Sequence, residues 1–388
     1  MTNLKSFLAL ALGTFALGIA EFGMMGILSD VAGSLGIDID KAGHLISAYS
    51  AGVAVGAPLL VFLRKMPLRS LLLLLTTVIT LGNAAAALSP GYGTLLVVRF
   101  LAGLPHGAFF GAGAIVCTRL TPGGNAAGAV AVMIGGMTVA NVVGVPAATF
   151  LSTALSWRYA FAVVALFGLL ATIAVRWLVP RMEALPDTGI KGQFRFLRSP
   201  IPWYIYGGVF FGQAAAYCWL SYISPLMMDV TGFSASDMTW IMMVTGSGMV
   251  FGNMMAGRLA GVIPPARVSL YIAALMILLM PAIYLAAPVK WLSVLLAFAG
   301  GALLFGIGCT PQAMIVKYSK GGEMLGGAGI QIAFNVSNAI SAAIGGLVIS
   351  LGFGYAAPAL AGIPFAIIGL LCFLLLSRRI DPRPTQGR

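Results

Sequence analysis

Three titratable residues, Glu21, Arg99 and His106, lie inside long apolar stretches of the sequence. A carboxylate shielded from bulk water can take up and release a proton, and a nearby arginine changes how tightly it holds that proton. His106 follows Arg99 at a spacing of about two helical turns, so it could relay protons near neutral pH or act as a neutral hydrogen-bonding residue. The trio therefore predicts either proton coupling or a permanent salt bridge that locks two segments together.

A second set of polar residues in the apolar stretches could form hydrogen bonds or stack on a ligand. Amides at i, i+4 and i+7 spacings share a helix face, and amides combined with aromatic rings suit a polyhydroxylated or heteroaromatic molecule. Hydrogen bonds between packed helices are the alternative role. We predict contacts with a small-molecule ligand for Asn141, Gln213, Tyr217, Trp219, Gln312, Gln331, Asn335 and Asn338.

The elements that must position these residues are segments long enough to cross a membrane. Of 388 residues, 60% are hydrophobic and 8% are charged, whereas about 25% of an ordinary soluble domain is charged. A helix of about 20 apolar residues spans a bilayer. The pattern predicts an all-α integral membrane protein with twelve transmembrane helices at 7–29, 42–63, 70–89, 92–118, 127–150, 158–179, 202–227, 236–259, 267–286, 290–316, 325–350 and 355–377.

The net charge of +12 follows from basic residues in the short connections. If twelve helices alternate in direction, most of the Lys and Arg residues fall on one side, and the positive-inside rule places both termini in the cytoplasm. We therefore expect a multi-pass protein of the cell inner (plasma) membrane. The lipid bilayer is its expected partner, and the charge requires no nucleic acid.

Two halves are expected, at 1–180 and 201–388, joined by a cytoplasmic linker at 181–200 that is polar and bracketed by prolines. An internal repeat supports the division. Gly56 and Gly252, which are 196 residues apart, each precede a basic loop that contains proline, and Asn141 and Asn338 recur at nearly the same offset. Parallel six-helix repeats build the major facilitator fold. The sequence therefore predicts two six-helix bundles.

Small residues repeat every four positions in the fourth and fifth segments, where they would let helices approach closely. They could serve packing alone, or form the seams along which the halves move. We assign helix packing and gating to Gly103, Gly107, Gly136, Gly144 and Pro146.

Six stretches resemble the drug/proton antiporter branch of the major facilitator superfamily and its sugar and nucleoside efflux members: TFALGIAEFGMMGIL, RFLAGLPHGAFFGAGAIV, GMTVANVVGVPAATFL, QFRFLRSP, SYISPLMM and MTWIMMVTGSGMVFGNMMAGR. The resemblance covers nearly the whole chain and implies a proton-driven exporter. In that pattern Arg99 corresponds to the helix-four arginine implicated in proton transfer. The stretch from Gly135 to Pro146 corresponds to the helix-five antiporter motif, with Val145 inserted between its Gly and Pro.

Other classes of protein are disfavoured by the motifs. The sequence has no zinc-protease motif, no credible nucleophile elbow and no nucleotide-binding loop, so an enzyme is not expected. A channel would require a ring of charges or a carbonyl filter. Cys117, Cys218, Cys309 and Cys372 are scattered, which predicts neither a disulfide nor a metal site. We expect a monomeric secondary transporter without a cofactor, coupled to protons and exporting a small molecule; proton-coupled uptake and uncoupled facilitation are the alternatives.

Overall fold

The structure of the chain is a computed structural model that describes residues 3–63, 65–121, 126–184, 194–319 and 323–380. Every predicted span falls on helix, which confirms the predicted fold class. We number the helices α1 Leu4–Gly26, α2 Ile39–Leu63, α3 Leu68–Ala87, α4 Tyr92–Gly103 and Pro105–Arg119, α5 Ala126–Val139 and Val145–Ala154, α6 Trp157–Leu178, α7 Pro200–Leu220, α8 Met238–Leu259, α9 Pro265–Ala286, α10 Lys290–Tyr318, α11 Glu323–Ser350 and α12 Ala357–Ile380.

Four helices depart from the continuous spans that the sequence predicts. The first ends at Gly26, and Ile27 separates it from a short helix, Leu28–Leu35. The fourth is interrupted at Leu104 because Pro105 has no backbone N–H to donate to the preceding turn. The fifth contains a π-helical turn at Ala140–Gly144, just before Pro146. The seventh ends as an α-helix at Leu220 and not at 227, and it continues through a short turn into a second π-helical segment, Leu226–Val230.

Within the described residues, nine helices are long and apolar enough to cross a membrane by length and composition. The other three predicted spans coincide with α2, α7 and α8, which have 25, 21 and 22 residues. The most apolar part of α1 is 78% buried, whereas that of α6 is only 28% buried. The first helix thus lies at the centre of its bundle and the sixth at its periphery.

The two halves repeat the same close contacts between helices. In the first half, a side chain on Gly52 or Gly56 would collide with the backbone carbonyl of Phe100 or Leu104, respectively. These contacts bring the backbone of α2 against that of α4.

The equivalent glycines of the second half, Gly248 and Gly252, meet the carbonyls of Phe298 and Ala302 in the same way. In addition, Gly103 faces the carbonyl of Tyr49 in one half, as Gly301 faces that of Thr245 in the other. The repeat seen in the sequence is therefore a repeat of the packing of α2 on α4 and of α8 on α10. These equivalent contacts support the proposed division into halves, although residues 185–193 of the linker lie outside the described residues.

The side-chain hydrogen bonds between the halves lie toward one end of the molecule. We call the end of the molecule where α6 ends, at Leu178, and α7 begins, at Pro200, the linker end, and the opposite one the linker-distal end. In the described part of the chain, two side-chain hydrogen bonds join the halves: Ser47 Oγ donates to the Ala339 carbonyl at 2.8 Å, and Ser224 Oγ donates to Ser29 Oγ at 3.0 Å. Both hydrogen bonds lie toward the linker-distal end, so they hold the two halves together at that end.

Candidate functional site

Glu21 lies near the middle of the molecule, on the most buried helix. The residue is 6% exposed, although the helix around it, from Ser6 to Gly26, consists otherwise of apolar and small residues. Close packing explains this burial: Gly18 on α1 lies against Ala140 of α5, and Gly13 lies against the ring of Phe109 on α4. The carboxylate is therefore held inside the bundle and does not face lipid.

His106 is the basic residue that meets this carboxylate. Its Nε2 lies 3.7 Å from Glu21 Oε2, and the two residues form the one ion pair with a histidine among the described residues when the imidazole is protonated. The Tyr49 hydroxyl is hydrogen-bonded to His106 Nδ1 at 2.9 Å, and the ring of Phe110 stacks on the imidazole at 5.3 Å between centroids. The break before Pro105 starts a new helix segment, whose first turn carries His106.

Arg99 is fully buried but does not bind Glu21. Its Nη1 donates to the carbonyl of Ala20 at 2.9 Å, and its Nε donates to that of Leu45 at 3.3 Å. The guanidinium carbon also lies 4.3 Å from the centroid of the Tyr49 ring, a cation–π geometry. The salt bridge between Glu21 and Arg99, which the sequence analysis gave as one alternative, is therefore not present in the structure. Backbone carbonyls of α1 and α2 bind Nε and Nη1, whereas Nη2 is buried and makes no hydrogen bond to the described residues.

Tyr49 is the residue that the sequence analysis missed. It is 1% exposed, its ring lies under Arg99 and its hydroxyl contacts His106. The close approach of Gly103 to the Tyr49 carbonyl brings α2 near enough to α4 for both contacts. A tyrosine in an apolar segment gives no pattern by itself, since a phenol there is equally suited to lipid or core.

The amides chosen from the sequence lie on α5, α7, α10 and α11, and most have unpaired polar atoms. Both polar atoms of Asn141 and both of Asn338 make no hydrogen bond to the described residues, although the two side chains are 2% and 1% exposed. The side-chain oxygens of Gln213, Gln312 and Asn335 are unpaired as well. A buried polar group is nearly always hydrogen-bonded in a working protein, so these amides are suited to bonding a molecule that enters the bundle.

Gln213 instead joins two helices, because its Nε2 donates to the Leu304 carbonyl of α10 at 3.2 Å. Asn335 donates back to Gln331 on its own helix at 3.0 Å. Trp219 packs its ring against Gly300 of α10, and its Nε1 has no partner among the described residues. The amides thus divide into Gln213, which links helices, and Asn141 and Asn338, which do not.

Tyr217 of α7 is the counterpart of Glu21 in the second half. In the internal repeat it stands 196 residues after Glu21, and it is buried, at 4% exposed. The repeat therefore pairs the acid of one half with a phenol of the other by position.

The glycines assigned to packing lie at close contacts. Gly136 abuts the Ala11 carbonyl, and Gly144 abuts Ile19, so both bring α5 against α1. Gly107 and Pro146 are buried. Among the described residues, no group of three or more His, Cys, Asp and Glu side chains could hold a metal ion.

Comparison with known proteins gives consistent matches over the whole chain. Residues 10–330 match the sequence profile of the Major Facilitator Superfamily. The chain is 42% identical to AraJ of Escherichia coli (strain K12) over 375 residues, which cover 96% of this chain and 95% of AraJ. It is 33% identical to the inner membrane transport protein YdhP of the same strain over 373 residues, 96% of each chain.

A similar fold occurs in the crystal structure of a bacterial homologue of the human lysosomal transporter Spinster, in its inward-facing and unoccupied conformation. The TM-score is 0.74 at 18% sequence identity, and the match covers 100% of both chains.

Proposed function

The chain belongs to the major facilitator superfamily, and from this premise we propose that it exports a small polar or amphipathic solute by alternating access, driven by protons that bind at Glu21. Its family makes it a multi-pass membrane transporter of small molecules and not an enzyme. We also propose that it acts as a monomer in the inner membrane with both termini in the cytoplasm.

The observation that carries proton coupling is the contact between Glu21 and His106 in the buried centre. A charged carboxylate is costly to keep in such surroundings, so its proton occupancy depends on which side admits water. His106, held by Tyr49, offers a second proton site beside it. A movement of α1 relative to α4 would change this distance and with it the affinity for protons.

The unpaired amides support a solute that forms hydrogen bonds without strong charge. Asn141 belongs to the first half and Asn338 to the second, so a molecule bound to both would respond to a movement between the halves. Because the halves are fastened at the linker-distal end, entry from the linker end is favoured. If the linker is cytoplasmic, as the distribution of basic residues predicts, this favours loading from the cytoplasm and therefore export.

A binding screen followed by a flux measurement tests this function. Purified protein would be melted with pentoses, hexoses, nucleosides and lipophilic amines, since a ligand that binds the folded state raises its melting temperature. The compound with the largest shift would then be loaded into proteoliposomes, and internal pH followed as it is transported. We expect solute movement in one direction to drive protons in the other. Movement of both in the same direction would support uptake, and solute flux without protons would support a facilitator.

Replacing Asn338 with Ala should weaken binding of that compound by about two- to tenfold, the value of one neutral hydrogen bond. The matched control is Ser341→Ala on the same helix, because the Ser341 hydroxyl donates only to carbonyls of its own helix, at 2.6 Å to Ser337 and 3.2 Å to Asn338. Dissociation constants would be measured by calorimetry. Equal affinities for both variants would remove Asn338 from the binding site.

Replacing Tyr49 with Phe should slow transport driven by a pH gradient by about fivefold, since one hydrogen bond worth about 1 kcal/mol orients the imidazole. The ring that supports Arg99 is kept. Tyr92→Phe is the control, because Tyr92 makes the same kind of bond to a histidine, His44, at 3.1 Å but at an exposed site. Exchange of labelled solute without a gradient should be unchanged in both. An equal loss in the control would contradict a role for Tyr49 in coupling.

A further inference from the structure

A basic pocket lies at the linker end, far along the helices from the buried acid. It has a volume of about 470 Å³ and lies between α3 and α6. Three arginines line it: Arg69 from the first turn of α3, Arg176 from the last turn of α6, and Arg181 from the segment that follows α6. We call this the arginine pocket.

The lining of the arginine pocket has an excess of positive charge, with three arginines and one acidic residue, Glu183. Burial, and then the positive charges of Arg176 and Arg181, lower the pKa of Arg69. None of the three arginines forms an ion pair with a carboxylate in the described part of the chain. Arg69 Nε is buried and makes no hydrogen bond to the described residues. The hydrogen bond that Glu183 makes to Arg119 involves its backbone and not its carboxylate: its carbonyl oxygen accepts from Arg119 Nη1 at 2.8 Å. The arrangement is therefore suited to an anion that brings several oxygen acceptors.

The surroundings of the arginine pocket are those of the membrane boundary. The most apolar parts of α3 and α6 are 39% and 28% buried, so both helices present much of their surface to lipid. Next to Arg176, the side chain of Trp177 is 79% exposed, as is typical of an aromatic residue at the membrane interface. Leu73 and Met182 give the pocket an apolar wall. A ligand there would combine a charged head with an apolar body.

We propose that the arginine pocket binds the phosphate of an anionic phospholipid from the surrounding membrane. Arginine pairs with phosphate through parallel hydrogen bonds, and basic pockets between membrane helices are suited to anionic headgroups. A free phosphate ion offers the same oxygens, but it would leave the apolar wall and the open lipid-facing side unused. None of the residues of this site belongs to the buried centre, so the lipid site is distinct from the proposed proton site.

The test compares lipid binding by the full chain and by two triple variants with the same loss of charge. Arg69, Arg176 and Arg181 would be changed to Gln in one variant. Arg195, Arg198 and Arg258, which also lie toward the linker end but do not line the pocket, would be changed to Gln in the control. Short-chain phosphatidylglycerol, short-chain phosphatidylcholine and inorganic phosphate would be titrated into detergent-solubilised protein, and binding read by native mass spectrometry.

We expect phosphatidylglycerol to bind the parent and the control with similar affinity. Its affinity for the pocket variant should be roughly a hundredfold lower, because each arginine contributes about fivefold to the dissociation constant. Phosphatidylcholine should bind all three weakly. Equal phosphatidylglycerol binding by both triple variants would overturn the proposal. If inorganic phosphate binds as tightly as phosphatidylglycerol, the ligand of the pocket is a soluble phosphate and not a lipid, which would overturn the proposal. If the pocket variant does not elute as folded protein, the exposed Arg181→Gln alone should still lose about fivefold, and an unchanged affinity would refute the site.

Discussion

Glu21→Gln should abolish export driven by a pH gradient while leaving exchange of labelled solute across the membrane near the parental rate. Glutamine keeps the shape and hydrogen-bonding capacity of the side chain but can neither bind nor release a proton. The 3.7 Å contact with His106 then lacks its carboxylate, so the proton that Glu21 carries no longer affects the binding of solute. Inverted vesicles with an imposed gradient, compared with vesicles without one, measure the two activities.

The control for this change is Asp30→Asn. Asp30 is partly buried near the linker-distal end and accepts a hydrogen bond from Ser152 Oγ, so its replacement also removes one acidic charge near the same helix. Gradient-driven flux should survive in Asp30→Asn. Unchanged gradient-driven flux in Glu21→Gln would mean that another group carries the proton, whereas loss of exchange as well would mean that Glu21 is needed to bind the solute.

Arg99→Gln should lower the melting temperature strongly, and neutralising Glu21 in the same protein should not restore it. The guanidinium donates to the carbonyls of Ala20 and Leu45, and hydrogen bonds to a charged group are worth about 1.5–3 kcal/mol each. Arg99→Lys should recover little of the loss, because one ammonium cannot reproduce the planar fork or its stacking on Tyr49. Thermal unfolding of the parent, each single variant and the double variant measures these effects.

A salt bridge that locks α1 to α4 predicts a different result. Removing one partner of a buried pair leaves an unpaired charge, so removal of the second partner should partly rescue stability. The structure places backbone carbonyls on the guanidinium, so we expect the double variant to be no more stable than Arg99→Gln alone. Rescue in the double variant would show that the acid and the arginine pair directly in the folded protein. A full loss of transport with normal melting would assign Arg99 to proton coupling.

The sequence by itself determined the class of the protein. Twelve apolar segments, the repeat that relates Gly56 to Gly252 and the motifs of α4 and α5 predicted the family and the fold, and the family match confirms both. Helix formation and membrane crossing depend on runs of neighbouring residues, so they can be inferred locally. Glu21 was identified for the same reason, since a lone carboxylate in an apolar run is visible without any knowledge of its neighbours.

Only the tertiary structure decided which groups meet. The sequence identified Glu21 and Arg99 as ionisable residues inside apolar segments, but it says nothing about the rotation of each helix around its axis. The break at Leu104 starts a new segment with His106 in its first turn, and the contact of Gly103 with the Tyr49 carbonyl brings in a residue 57 positions away from His106. The same limit applies to the amides. The sequence analysis assigned Gln213 and Asn338 the same role, because both are amides in apolar segments. In the structure, Gln213 donates to a carbonyl of α10, whereas the side chain of Asn338 has no partner among the described residues.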